Sequence, residues 1–178
     1  NNLYSLTFKS KKNQILLVII IYSCHPVTDK ENIVGKDYPG IIKKNIDKYF
    51  GINNSIFLQG FCGDVNPYFV SKQNSLKKIL INYLIGPSFR KPTDDEKKKF
   101  TDILTDQSIK SIKNSTDLSE LDFRISSIEN NITDIKKQII KNKIKIKNLS
   151  INNKLSLFFV NAEMLNDFDL YQKDNSIS

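Results

Sequence analysis

The sequence predicts an α/β fold: a mixed β-sheet with packed helices and site loops at strand C-terminal ends. Three observations carry this expectation. Ile15 to Tyr22 is a continuous apolar run rich in β-branched residues, Ser55 to Leu58 is a second apolar run, and an amphipathic stretch opens between them at Asp37. Strand, helix and strand in that order read as a βαβ unit, and open α/β sheets place their chemistry where strands end. Here those places are Ser23-Cys24-His25-Pro26 and Gln59-Gly60-Phe61-Cys62-Gly63-Asp64-Val65-Asn66-Pro67.

Leu3 to Phe8 alternates apolar and polar residues, and Lys9 to Gln14 is polar, so an antiparallel hairpin is expected to lead into the central strand Ile15 to Tyr22. Asp37 or the residues before it are expected to cap a helix with Pro39 in its first turn. Ile41, Ile42, Ile46, Tyr49 and Phe50 form its apolar face, and Gly51 closes it. A short helix is expected around Ser75 to Leu84, a break at Gly86-Pro87, and another helix start at Thr93, where Glu96 completes a capping box. Leu118, Leu121, Ile125, Ile128, Ile132, Ile135 and Ile139 then recur at steps of three and four. This stripe reads as a helix packed on a core or sheet, with a coiled coil as the other reading. Lys143 to Lys147 alternates with period two, Ile151 to Lys154 is a turn, and Leu155 to Val160 is an apolar strand that ends near Glu163. The domain expectation is one α/β unit over 1–178 with a helical insertion at about 71–142.

The chain has 178 residues, enough for one domain with a real core, and a net charge of +8. Its positive residues are nearly all Lys, scattered among Asn and Ile, which reads as compositional bias rather than a basic patch for nucleic acid. The longest apolar run is less than half of the ~20 residues a spanning helix needs, so no transmembrane segment is expected and membrane-surface contact stays open. The chain starts at Asn1 beside a strand and is expected to be a piece of a longer protein. A truncated start would also remove a leader, so the compartment is left open. Two cysteines are too few for a disulfide scaffold.

His25 is the only histidine. Its place after a buried strand, with Pro26 following, suits a metal ligand, while a lone histidine without HExxH or CxxC partners also suits a structural residue. In Gly60 to Pro67 the glycines leave backbone amides free to face a ligand, and Asp64 and Asn66 offer an acceptor and a donor two residues apart. The same segment also reads as an Asx-stabilised turn. Glu163 at a strand end needs a partner if buried, which a metal would supply. Cys24 and Cys62 read as small buried hydrophobes, with thiolate ligation or redox pairing as alternatives.

Taken in order, Tyr22-Ser23-Cys24-His25-Pro26, Asp37-Tyr38-Pro39-Gly40 and Phe57 to Pro67 resemble the N-terminal catalytic domain of the neutral/alkaline, non-lysosomal ceramidase family. The motifs cover residues 15 to 70, and the resemblance returns weakly at Leu155 to Met164. It implies a zinc-dependent amidase in which His25 and Glu163 are metal ligands. The family's site also uses another histidine and a tyrosine; this chain has no second histidine, and Tyr171 has the wrong context, so the zinc site is incomplete within the chain. Where active ceramidases carry a serine before the proline of the Gly-Asp-Val motif, Asn66 stands here and cannot act as a nucleophile.

The resulting expectation is a zinc-dependent hydrolase of ceramidase-like type that cleaves an amide, with an N-acyl lipid as one candidate, through a metal-activated water, with Asp64 and Asn66 as the catalytic pair. A small-molecule or lipid amide is the expected partner, and nucleic acid is not expected. Two alternatives stand beside it: a catalytically inactive ceramidase-like module that binds or supports a partner, and a basic α/β protein that binds nucleic acid or a partner helix.

Overall fold

The computed structural model describes residues 3–29, 35–71, 75–86, 89–117, 122–133, 139–152 and 154–164. The chain divides into two compact units, Asn1–Ser115 and Thr116–Ser178. The first unit contains β1 (Leu3–Lys9), β2 (Ile15–Tyr22), α1 (Asp37–Phe50), β3 (Ser55–Gln59), α2 (Leu76–Ile85) and α3 (Asp94–Lys113). The second contains β4 (Phe123–Thr133), β5 (Ile139–Ile151) and β6 (Leu155–Val160). The α/β class is as predicted.

The sheet of the first unit has the order β1-β2-β3 and is mixed: β1 runs antiparallel to β2, and β3 runs parallel to it. The hairpin closes because Asn13 adopts a left-handed φ of 63° and the Ser10 amide donates to the Gln14 carbonyl at 2.8 Å. Val18, Ile20 and Tyr22 alternate inward from β2, as the pleat requires. With Cys24 they pack against Tyr38, Ile42 and Ile46 of α1 and Leu104 and Ile112 of α3. α1 ends where the sequence places its stop: Gly51 takes φ 65° and its amide donates to the Asp47 carbonyl.

Lys36, not Asp37, holds the N-cap position of α1, and it makes no side-chain cap bond. Asp37 instead turns its carboxylate back onto the chain leaving β2, accepting from the Thr28 and Asp29 amides at 2.8 and 3.0 Å, from the Thr28 hydroxyl and from the Tyr38 amide. The start of α3 follows the predicted capping box, with Thr93 and Glu96 bonded reciprocally. Arg90 grips the same carboxylate with two N–H groups at 2.8 and 2.6 Å. These donors, Arg90 first and the Thr93 amide next, hold the Glu96 carboxyl down at about 2.

The second unit corrects the helical reading of the Leu118 to Ile139 stripe. Phe123–Thr133 is a strand, Ile139 opens β5, and Leu118, Leu121 and Ile135 lie outside the described residues. The expected insertion at 71–142 is therefore helical through α2 and α3 and then turns to strand. Composition explains the outcome. Ser126, Ser127, Asn130 and Asn131 are poor helix formers, and the β-branched isoleucines suit a pleated strand. A pair three apart shares a helix face but is split across the two faces of a strand, and Ile125 and Ile128 are both exposed. β5 pairs antiparallel with β4 and β6, matching the period-two reading of Lys143 to Lys147, and Glu129 sits opposite Lys145 within reach of Lys143 and Lys145 at 3.1 and 3.5 Å.

Candidate functional site

Because β2 and β3 are parallel, with Tyr22 opposite Gln59, both strands release their chains at the same edge. The two special loops start there side by side. The Gly60 amide donates to the Tyr22 carbonyl at 3.1 Å, and the His25 amide donates to the Val65 carbonyl at 2.9 Å. Glycine at position 60 suits this close approach, since a Cβ there would meet the Ser23 hydroxyl and force it to move. A turn from Cys62 to Val65, closed by the Val65 amide on the Cys62 carbonyl at 2.9 Å, then presents Gly63 and Asp64.

The His25 loop is held from beneath as well. The Tyr38 hydroxyl donates to the Cys24 carbonyl at 2.6 Å, and Asp37 fastens Thr28 and Asp29. Burial favours the protonated form of Asp37, but the Thr28 hydroxyl and the Tyr38, Asp29 and Thr28 amides outweigh it and hold the carboxyl below its usual range. Burial drives the Tyr38 phenol well above its ordinary value, with Cys24 adding to the effect. The Cys24 thiol is pushed up to about 12, first by burial and then by its neighbour Cys62.

His25 is half-buried, and one of its ring nitrogens lies within 4.8 Å of the Cys62 Sγ. Cys62 is buried, and its sulfur accepts from the Gln59 Nε2 at 2.7 Å. The donors fit zinc in kind: an imidazole nitrogen and a thiol sulfur are ordinary zinc ligands, and two donors on a tetrahedral zinc stand roughly 3.6 Å apart. Asp64 and Asn66 are both exposed, on the same loop, either side of the Val65 that receives His25. Glu163 is exposed and follows β6 in the second unit, so its assignment as a ligand rests on the family resemblance. Sequence reasoning passed over Gln59 and the Tyr38 hydroxyl; the signal for Gln59 was a polar side chain ending an otherwise apolar strand.

The first unit is therefore an open α/β sheet in which two loops leave the same edge of a parallel strand pair and are hydrogen-bonded to each other. No family model, curated protein or solved structure matches the chain.

Proposed function

We propose that this chain carries part of the site of a zinc-dependent hydrolase of neutral ceramidase-like type, acting on an amide. The observation that supports it most is the bond from the His25 amide to the Val65 carbonyl, which sets the His-Pro loop against the Gly-Asp-Val-Asn-Pro loop. When bound, zinc supplies a water acidified toward a pKa of ~7 and polarises the carbonyl under attack. His25 would hold the ion, and the Asp64 carboxylate would accept a proton from the attacking water. The Asn66 amide donates to the oxyanion and offers no nucleophile, which directs the reading away from ceramide and toward another amide.

A lipid amide is the substrate class we favour. α2 exposes Leu76, Leu80, Tyr83 and Leu84 beside Lys77, a mixture that suits a lipid surface. Among the described residues no helix is long and apolar enough to cross a membrane. The single histidine favours, as a second reading, a non-catalytic module that keeps the fold without the reaction.

Hydrolysis of a panel of N-acyl amides separates the two. The expected result is turnover that EDTA removes and zinc restores, with Asp64→Asn slower by about 10²-fold or more if it is the general base. Turnover indifferent to EDTA would sink the metal mechanism, and no turnover in zinc-loaded protein would favour the module.

A further inference from the structure

The two cysteines occupy different environments. Cys24 belongs to the hydrophobic core cluster with Val18, Ile20 and Tyr38, and its thiol lies 3.9 Å from the His25 carbonyl. Cys62 is also buried but stands outside that cluster, on the loop after β3. Its sulfur accepts from the Gln59 side-chain N–H and lies within 4.8 Å of a His25 ring nitrogen.

We propose that Cys62 is a thiolate ligand to the same metal ion as His25, giving the site a mixed nitrogen and sulfur donor pair. This rests on the metal site proposed at His25 and goes beyond the histidine and glutamate ligands that the resemblance implies. Three features carry it. The donors come from loops joined by the His25 to Val65 and Gly60 to Tyr22 hydrogen bonds, so bringing them together requires little ordering of the chain. Their 4.8 Å limit means that a movement of at most roughly 1.2 Å reaches the separation of two donors on a tetrahedral zinc. Finally, the Gln59 side-chain N–H donates to the same sulfur, an outer hydrogen bond of the kind that orients a ligand.

Binding is a ligand exchange without redox change. The Cys62 S–H bond breaks, its proton passes to solvent, and the sulfur lone pair forms the bond to the ion. A soft donor of this kind favours zinc over magnesium or calcium at this edge.

Cobalt(II) loading of the full chain tests the inference, because cobalt takes zinc-like geometry and reports a bound thiolate by an intense near-ultraviolet charge-transfer band. The band is expected in the unaltered protein and in Cys24→Ala. It is expected to vanish in Cys62→Ser, with zinc affinity at least ~10-fold weaker. Bound cobalt without the sulfur band in the unaltered protein would overturn the role of Cys62 and leave the His25 site standing. No bound cobalt or zinc would overturn both. The readings from unaltered protein and Cys24→Ala hold even where Cys62→Ser fails to fold.

Discussion

Tyr38→Ala is expected to destabilise the first unit by about 3–5 kcal/mol, the range for deleting a fully buried aromatic side chain. Tyr38 is wholly buried, and its ring meets Tyr22, Phe57 and Phe100 edge-on at centroid distances of 6.4, 5.7 and 5.3 Å. One ring therefore joins β2, β3 and α3 to α1, and its removal leaves a cavity that none of these elements can fill alone. The conservative variant separates packing from hydrogen bonding. Tyr38→Phe keeps the ring but removes the donor to the buried Cys24 carbonyl, which is expected to cost about 1–2 kcal/mol. Because that carbonyl immediately precedes His25, Tyr38→Phe is also expected to weaken zinc binding. Urea unfolding followed by circular dichroism measures both stabilities; a loss under 1 kcal/mol for Tyr38→Ala would contradict this packing.

Asp37→Ala is expected to cost about 2–4 kcal/mol, because three backbone amides and the Thr28 hydroxyl lose one charged acceptor. The backbone adds to the penalty. Asp37 has φ 44°, a left-handed conformation that Asp and Asn tolerate better than Ala, so Asp37→Asn should be milder. The pH dependence has a definite sign. The folded carboxyl titrates below its value of about 3.9 in the unfolded chain, so its stabilisation is complete above that value and is lost as pH falls through the folded one. The stability difference between the unaltered protein and Asp37→Asn should be flat above about pH 5 and shrink below about pH 4. A difference that grows on acidification would contradict the clamp.

The elements that set the candidate site were legible because local and long-range signals agree there. The run Ile15 to Tyr22 is too β-branched for a helix and too short for a membrane, and the amphipathic stretch between it and Ser55 supplies the crossover that parallel strands need. The placement of His25 at a strand end follows from that pattern. The stripe from Leu118 misled because its period was weighed above its composition: serine, asparagine and β-branched residues on a three-four spacing form a strand when a partner such as β5 is available. Asp37 was legible as a helix-start residue, but its bonds run to Thr28 and Asp29, nine and eight residues earlier, which no local pattern encodes. Cys24 and Cys62 were indistinguishable in sequence, since each adjoins a candidate loop. Only packing separates the residue in the core from the one beside His25.

The proposed zinc site at the C-terminal edge of β2 and β3 depends first on His25. Zinc content by mass spectrometry, on protein purified without chelator, tests it most directly. About one zinc per chain is expected, falling to a trace in His25→Ala while the far-ultraviolet circular dichroism stays unchanged. Equal zinc in both proteins, or none in the unaltered one, would contradict it.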